Sequence, residues 1–281
     1  VVPINTDLTN DEVIYIFKNI KSKKLFFQSH LVSKIKFLNN FISADNLISV
    51  DPMDNFNSDS FGKMPLNISD GPIVRENDIA VIIYTSGTTG KPKGVVLSHI
   101  NLIADSYSIS NLFGFNKNTR ALCILPMHHN NGQITTFLAP LYKGGSTVIV
   151  KGKTNLITFW ELVNTYKITF TSVMASILSI LLTLNNNRKD KSLKAILCGG
   201  QVLTNTVRDS FEKKYNVPIF EGYGLTETTS FSCINNYPAE KRKKGSIGLP
   251  LITNHMKIVD ENDIDCEPYI EGEICIKGLN V

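Results

Sequence analysis

Short runs of apolar and β-branched residues recur along the chain, separated by polar stretches. Continuous runs of this kind are typical of strands buried on both faces of a sheet. Helix-like segments lie between them, among them 98–113 and 204–215, with Ser98 and Thr204 as candidate N-caps. The predicted strands span 24–28, 47–50, 79–85, 121–125, 147–150, 168–173, 193–198 and 217–222. Strands alternating with helices predict parallel βαβ units and an α/β fold.

The pattern changes after about residue 236. Two short strand-like runs, "HMKIVD" at 255–260 and "GEICIKG" at 272–278, follow with Gly, Asp and Pro between them and no helical periodicity. This texture favours antiparallel strands. The punctuated polar stretch 51–78 predicts a long connecting loop. We therefore predict layered parallel and mixed sheets with flanking helices, followed by the start of a small β-rich subdomain.

Composition narrows the class of protein further. Of the 281 residues, 42% are hydrophobic and 19% are charged, which is typical of a globular chain with a substantial core. The net charge of +4 gives no argument for nucleic acid or a membrane surface, and we expect the basic cluster at 241–244 to be a solvated loop. The longest apolar stretch, at 172–184, is too short and serine-rich to span a bilayer and predicts a buried helix. Five dispersed cysteines without a CxxC pair predict reduced thiols in the cytoplasm.

The stretch "TSGTTGKPKG" at 85–94 is the strongest local candidate for chemistry. Its glycines allow close backbone approach, its hydroxyls donate hydrogen bonds, and its lysines supply positive charge. It follows a predicted strand, and α/β proteins commonly hold phosphates in such a loop. It matches neither the Walker A pattern nor GxGxxG. A plain surface turn is the alternative interpretation.

The longer stretch "YTSGTTGKPKGV" at 84–95 resembles the phosphate-binding signature of the adenylate-forming superfamily, which includes acyl-CoA synthetases, firefly luciferases and peptide-synthetase adenylation domains. Four further stretches resemble motifs of that family in the expected order. They are "CGGQVL" at 198–203, "GYGLTET" at 222–228, "GSIGLP" at 245–250 and "GEICIKG" at 272–278. The resemblance spans essentially the whole chain and identifies it as similar to the central part of the family's large N-terminal domain.

The resemblance implies a role for each matching residue. Thr226 would bond the α-phosphate of ATP, and Glu227 would hold Mg²⁺, a hard cation that favours carboxylate oxygens. Residues implied to contact the β- and γ-phosphates, or to let the loop close, are Thr85, Ser86, Gly87, Thr88, Thr89, Gly90, Lys93 and Gly94. Residues implied on the adenine side are Gly199, Gly200, Gly222, Tyr223 and Gly224. Without the motif, a Thr-Glu pair would more often be a helix cap, and Tyr223 an ordinary core residue.

The stretch "ILPMHHNNGQ" at 124–133 bears on the substrate. It resembles the Pro-x-x-His-x-x-Gly motif of acyl-CoA and aryl-CoA synthetases, which implies that His129, together with Gly222, lies at the acid pocket. His128 stands where the family usually has an aromatic residue. Members that activate amino acids carry an aspartate here, and no acidic residue occurs between Thr119 and Lys143. A buried ammonium without a counter-ion is costly, so a plain carboxylic acid is favoured. A packed polar role for His129 is the alternative.

We therefore expect ATP- and Mg²⁺-dependent activation of a fatty or aryl acid, with CoA as the acceptor. An acyl-AMP ligase that loads a carrier protein and a non-catalytic nucleotide-binding relative remain alternatives. The resemblance implies three parts: an incomplete first subdomain and linker at 1–78, a nucleotide-binding subdomain at 79–235, and the start of a β-rich subdomain at 236–281. The family's ribose-binding aspartate and C-terminal lid domain are expected beyond residue 281, so we expect this stretch alone to be weakly active or inactive.

Overall fold

The computed structural model describes residues 1–50, 73–85, 92–150, 156–184 and 189–281. Two compact units emerge from the contacts within the chain. The first unit contains Val1–Pro3, Glu76–Ile83 and Gly94–Val281, and the second unit contains Ile4–Arg75 and Tyr84–Lys93. Most of the predicted loop at 51–78 lies outside the described residues. The division at 78 and 235 stays a prediction.

The second unit is a small βαβ arrangement. Helix α1 (Asn10–Ile20) begins with a capping box, in which the Thr9 hydroxyl accepts a hydrogen bond from the Glu12 N–H and the Glu12 carboxylate accepts one from the Thr9 N–H. Strands β1 (Leu25–Phe27) and β2 (Leu47–Ser49) pair in parallel, with the short helix α2 (Val32–Ile35) between them. The strands predicted at 24–28 and 47–50 are therefore confirmed.

The first unit is built around a seven-stranded sheet. Its strands are β5 (Arg120–Cys123), β6 (Ser146–Ile149), β7 (Phe170–Val173), β8 (Ala195–Cys198), β9 (Ile219–Tyr223), β10 (Cys233–Ile234) and β11 (Leu249–Pro250). Their order is β11-β10-β9-β8-β7-β5-β6, and the five strands from β9 to β6 are parallel. Every residue of β7 and β8 is buried, as their continuous apolar runs predict. The expected α/β fold is confirmed.

Strands β3 (Ile79–Thr85) and β4 (Lys93–Ser98) form a separate two-stranded sheet. The prediction that the run at 79–85 is buried on both faces is wrong. Val81 and Ile83 are buried with Leu97, whereas Ile79 is 60% exposed. Alternate residues of β3 point to opposite faces, and only one face packs against the small cluster around Leu97.

The helices of the first unit flank its sheet. They are α3 (His99–Leu112), α4 (Ala139–Tyr142), α5 (Phe159–Tyr166), α6 (Ala175–Thr183) and α7 (Asn205–Tyr215). Both predicted N-caps are confirmed, since Ser98 accepts a hydrogen bond from the Asn101 N–H and Thr204 accepts one from the Val207 N–H. The helix predicted at 172–184 begins only at Ala175, because Phe170–Val173 is a strand. None of the helices within the described ranges has the length and apolarity that a membrane span requires.

The chain ends in antiparallel structure. Strands β12 (Asn254–Val259) and β13 (Glu273–Gly278) pair from Asn254 opposite Gly278 to Val259 opposite Glu273, which confirms the predicted change of texture. The interpretation of 241–244 as a solvated loop is wrong for Arg242. Its half-buried guanidinium is bonded to Glu212 and lies 5.2 Å from the centre of the Phe220 ring.

Helix α3 buries polar as well as apolar side chains. Asp105 is fully buried, and its Oδ2 accepts a hydrogen bond from the Phe231 N–H at 3.3 Å, while its Oδ1 has no hydrogen-bond partner among the described residues. Burial raises the pKa of this carboxyl well above its ordinary value of 3.8, and the Phe231 N–H offsets this only in part. In the folded chain Asp105 therefore keeps its proton to a higher pH than an exposed aspartate does.

We expect Asp105→Asn to make the protein more stable at neutral pH. The folded-state pKa of Asp105 is raised. The favourable contribution of the protonated Asp105 to the free energy of unfolding is therefore complete below the unfolded-state pKa and is lost as the pH rises through the folded-state pKa. The cost is about 1.4 kcal/mol for each pH unit over which the folded state holds the extra proton. Urea unfolding between pH 4 and pH 8 should show a decline for the wild type that the amide variant lacks. Equal pH dependence of both proteins would contradict this account.

Candidate functional site

The carboxyl ends of the parallel strands bring three of the sequence motifs to one edge of the sheet. Gly199 and Gly200 follow β8, Tyr223 ends β9, and the stretch that contains His129 follows β5. Parallel sheets characteristically bind ligands beyond this edge. The predicted adenine-side and acid-side residues of the first unit therefore share one edge because of strand polarity.

The motif "GYGLTET" continues from β9 into a tight turn. A single 3₁₀ turn spans Thr226–Thr228, and in it Thr226 is half-buried while Glu227 is exposed. Thr229 follows with φ 68° and ψ −60°, and the Ser230 N–H donates to the Thr228 carbonyl at 2.8 Å. These are the features of a classic γ-turn, which is a strained conformation for a β-branched residue and costs about 1–3 kcal/mol. The segment 225–230, which includes the N-cap residue Leu225, is called the Thr226 turn below.

Asn280 stabilises this strained turn from a distant part of the first unit. The Thr229 hydroxyl donates to the Asn280 carbonyl at 2.7 Å, and the Asn280 Nδ2 donates to the Thr228 carbonyl at 3.0 Å. Both Thr229 and Asn280 are fully buried. The surroundings therefore hold the backbone in a conformation that it would not adopt locally.

The segment 124–138 is called the His129 stretch below, and it contains an eight-residue π-helix at Asn131–Leu138. Such wide turns are rare and occur frequently at functional sites. Gly132 is required for packing, since a Cβ atom there would lie 2.6 Å from the carbonyl oxygen of Pro126. The His129 side chain is exposed and its ring centre lies 4.5 Å from that of His128. Partial desolvation lowers the pKa of His129 below its ordinary value, which favours the neutral imidazole.

Two hydrogen bonds join the His129 stretch to the Thr226 turn. The Asn130 Nδ2 donates to the Leu225 carbonyl at 3.3 Å, and the hydroxyls of Thr135 and Ser230 lie 3.0 Å apart. The structure therefore brings together two sites that the sequence predicts separately. The π-helix and Thr135 have no local sequence signature apart from Gly132.

The glycines at the ends of β8 and β9 make room for Phe231. A Cβ atom on Gly199 would lie 2.7 Å from Cζ of Phe231, and one on Gly222 would lie 2.6 Å from its Cδ1. Gly224 faces the backbone of the same segment, where a Cβ atom would lie 2.7 Å from the Phe231 Cα. Internal packing thus explains three glycines that the motif resemblance implies for nucleotide binding. Gly200 differs, because its φ of +77° is the constraint and an added Cβ would meet no atom.

A buried ion pair joins helix α7 to strand β9. Arg208 on α7 is 4% exposed and donates to Glu221 at 3.0 Å, and also to Asn205 at 2.7 Å.

Burial, with a smaller contribution from the Glu221 carboxylate, raises the pKa of Cys198 to about 12. Cys198 is therefore a neutral thiol at this edge and not a candidate nucleophile.

The phosphate-loop residues Ser86, Gly87, Thr88, Thr89 and Gly90 lie outside the described residues. Thr85 is the last residue of β3 and Lys93 is the first of β4, and both belong to the second unit. Among the residues that the structure describes, no three His, Cys, Asp or Glu side chains are grouped as metal ligands. A site with one protein carboxylate, as implied for Glu227, is consistent with this arrangement, since Mg²⁺ usually keeps several waters and substrate oxygens as ligands.

Comparison with known proteins decides the family. The family model described as AMP-binding enzyme matches residues 1–281. The chain belongs to the AMP-binding enzyme family. This confirms the resemblance to the adenylate-forming enzymes, and the family's CoA-ligase members are among the matched proteins.

Two curated relatives and one solved structure illustrate the similarity of this AMP-binding chain to CoA ligases. Peroxisomal OPC-8:0-CoA ligase 1 of Arabidopsis thaliana is 31% identical over 99% of this chain and 52% of its own length. The 2-succinylbenzoate–CoA ligase of Bacillus subtilis is 34% identical over 72% of this chain and 40% of its own length. The o-succinylbenzoate coenzyme A synthetase of Bacillus subtilis, solved in complex with ATP and magnesium ion, is 28% identical with a TM-score of 0.79, covering 100% of this chain and 55% of its own. The chain therefore spans about half of the relatives' length or less.

We expect the effects of Gly222→Ala and Phe231→Leu on the free energy of unfolding to be strongly coupled. Alanine at 222 displaces the Phe231 ring and should destabilise the fold by about 1–3 kcal/mol, whereas leucine at 231 leaves space for the new methyl group. The double variant should therefore lose less than the sum of the single losses, by at least about 0.5 kcal/mol in urea unfolding.

Phe211→Leu is the matched control for this cycle, because Phe211 belongs to a different hydrophobic cluster. Its combination with Gly222→Ala should be additive. Additive losses for Gly222 and Phe231 as well would show that the glycine is not required for the packing of this ring.

Proposed function

We propose that the protein containing this chain activates a carboxylic acid with ATP and transfers the acyl group to the thiol of CoA. The observation that carries the proposal is the direct contact between the Thr226 turn and the His129 stretch, through Asn130 and Leu225 and through Thr135 and Ser230. This contact supports a site in which the proposed phosphate-binding residues lie beside the proposed acid pocket. Membership in the AMP-binding family supports the same reaction class.

The proposed reaction has two steps that balance in atoms and charge. A carboxylate oxygen of the acid attacks the α-phosphorus of ATP, the bond to the β-phosphate bridging oxygen breaks, and pyrophosphate leaves with the acyl-adenylate as product. The CoA thiol then loses its proton to solvent, and its sulfur attacks the acyl carbonyl carbon. The bond from that carbon to the phosphate oxygen breaks, and AMP leaves as the thioester forms. Catalysis of the first step consists chiefly of positioning and neutralisation of charge.

Thr226 and Glu227 are suited to the reacting phosphate. The half-buried Thr226 offers a hydroxyl donor for the α-phosphate, and the exposed Glu227 carboxylate can serve as an oxygen ligand for Mg²⁺. When bound, Mg²⁺ neutralises phosphate charge during the transfer. The strained, buried backbone at Thr229 fixes the turn, so these two side chains need little reorganisation when substrate binds.

The remaining nucleotide contacts are proposed from the motifs. Tyr223, half-buried at the end of β9, offers its ring to the adenine, and Gly199 and Gly200 border the same edge. Thr85 and Lys93, together with the loop between them, would hold the β- and γ-phosphates. Gly222 and Gly224 contribute by leaving room for Phe231 and the backbone beside it.

His129 and its neighbours define the proposed acid class. A neutral imidazole on an exposed edge can contact a carboxylic acid without adding a second charge, which the lowered pKa of His129 supports. The segment 119–143 offers no carboxylate to pair an α-ammonium group. A fatty or aryl acid is therefore the proposed substrate class.

A pyrophosphate-exchange screen of the natural protein over a panel of carboxylic acids tests the proposal. Each acid is assayed for thioester formation with CoA and, separately, with a phosphopantetheinylated carrier protein. Acid-dependent exchange with thioester formed on CoA supports the proposal. Thioester formed only on the carrier protein identifies an acyl-AMP ligase, and nucleotide binding without exchange identifies a non-catalytic relative.

A cytoplasmic location is part of the proposal and rests on the five dispersed cysteines, all of which are free thiols. One similar plant enzyme is named as peroxisomal. Fluorescence microscopy of the tagged natural protein distinguishes a cytoplasmic from an organellar distribution.

We expect Glu227→Gln to suppress pyrophosphate exchange strongly without unfolding the protein. Removal of a metal ligand weakens charge stabilisation in the transition state, an effect of several kcal/mol, so exchange should fall at least about 100-fold. Glu240→Gln is the matched control, because Glu240 is also an exposed carboxylate in the first turn of a 3₁₀ helix. Near-normal exchange by the Glu227 variant over a Mg²⁺ titration would remove Glu227 from the mechanism.

We expect fatty or aryl acids to support exchange and α-amino acids to fail, because the segment 119–143 carries no carboxylate for the ammonium group. Matched pairs, such as a phenyl-substituted acid and its α-amino derivative, isolate the charge from the rest of the side chain. An unpaired ammonium should lower kcat/KM by at least about 100-fold. An amino acid as the best substrate would overturn the assignment.

A further inference from the structure

Helix α3 carries polar side chains along its buried face. Asn101, Asp105 and Ser108 follow one another at i, i+4 and i+7, which places them on one side of the helix. All three are at most 8% exposed. An amphipathic helix normally presents apolar residues at these positions, so the polar choice requires an explanation from its contacts.

Asn101 and Ser108 hold segments near the end of the chain. The Asn101 Nδ2 donates to the carbonyls of Leu279 at 2.9 Å and Val281 at 3.1 Å. The Ser108 hydroxyl lies 2.8 Å from the Thr253 hydroxyl, just before β12. Asn101 therefore holds two backbone carbonyls, and Ser108 one hydroxyl, of segments that are remote in the sequence.

Asp105, between them, holds the segment that follows the Thr226 turn. Its Oδ2 accepts a hydrogen bond from the Phe231 N–H, and the two residues are 126 positions apart in sequence. The Phe231 ring lies over Gly199 and Gly222, at the ends of β8 and β9. A shift of Phe231 would therefore alter both the turn and its distance from the strand ends.

We infer that Asp105 is a positioning residue for adenylation, because it holds the Phe231 N–H and thereby fixes the Thr226 turn against the ends of β8 and β9. This inference rests on the proposed function for its catalytic consequence, but not for its structural part. Asp105 does not contact the reacting groups. It acts through a backbone hydrogen bond that either carboxyl or carboxamide oxygen can accept.

The test compares Asp105→Asn with Asp105→Ser in the natural protein. The amide keeps an acceptor at the same reach, whereas the serine hydroxyl is one bond shorter and cannot meet the Phe231 N–H. Hydrogen exchange followed by mass spectrometry on peptides that cover 226–233 measures the turn directly. We expect exchange in this segment to be at least about tenfold faster in the serine variant and close to wild type in the amide variant.

Pyrophosphate exchange supplies the second readout. A loosened turn misplaces Thr226 and Glu227 in the transition state, so kcat should fall at least about tenfold in the serine variant while KM for the acid stays within about twofold. The amide variant should retain kcat within about twofold. A general loss of stability would not separate kcat from KM in this way or be rescued by an isosteric amide.

Ser108→Ala is the matched control, because it removes a buried hydroxyl from the same helix face but contacts Thr253 and not the turn. It should leave exchange in 226–233 and kcat unchanged. The inference is overturned if Asp105→Ser leaves the segment protected, if it leaves kcat unchanged, or if Ser108→Ala loosens the segment equally. Because Asp105→Asn preserves volume, loss of kcat in this folded variant also overturns it, even where the serine variant does not fold.

The outcome is separable from that of the proposed function. If the wild type shows no pyrophosphate exchange with any acid, the proposed function fails, and the catalytic part of the inference fails with it. Faster hydrogen exchange in Asp105→Ser alone would then support only the structural role of the contact.

Discussion

The packing of the Phe231 ring against Gly199 and Gly222 is the contact on which the geometry of this edge depends. Side chains at either glycine would occupy the volume of the ring, so the ends of β8 and β9 and the segment after the Thr226 turn are adjusted to one another. Close packing makes such an arrangement sensitive to a single methyl group. Gly199 and Gly222 are therefore required first for packing, and the nucleotide of the proposed function would bind a surface that this packing has already shaped.

Apolar packing alone does not fix the orientation of the backbone around Phe231. Directional hydrogen bonds fix it here. The Phe231 N–H is held by Asp105, the Thr229 hydroxyl by the Asn280 carbonyl, and the Ser230 hydroxyl by Thr135. These bonds come from three separate elements and converge on three consecutive residues, Thr229, Ser230 and Phe231. A classic γ-turn at a threonine persists only where the surroundings determine it from several sides. Strain at this point is consistent with a turn whose side chains must be in place before substrate arrives.

Much of this arrangement could be predicted from the sequence, because the features concerned depend on residues that are close together in the chain. Continuous apolar runs predicted β7, β8 and β9, and Ser98 and Thr204 predicted two helix starts, because strand burial and capping depend on neighbouring residues. Motifs at strand ends are predictable for the same reason, since strand polarity places them on one edge. The prediction that β3 is buried on both faces failed, because an apolar run does not reveal whether other elements will cover one or both faces of the strand.

The contacts that the sequence did not predict join residues far apart in the chain. Asp105 and Phe231 are separated by 126 positions, Thr135 and Ser230 by 95, and Thr228 and Asn280 by 52. An aspartate within a helix ordinarily indicates a solvated face, and no local pattern distinguishes it from one that is fully buried. Burial of this carboxyl opposes folding as the pH rises, since burial disfavours the charged form and raises the pKa of the group. A leucine would make the helix face more apolar but would leave the Phe231 N–H without its acceptor. Burial of Asp105 thus lowers the stability of the fold, but its hydrogen bond fixes a backbone position beside the Thr226 turn. Apolar contacts could not specify that position.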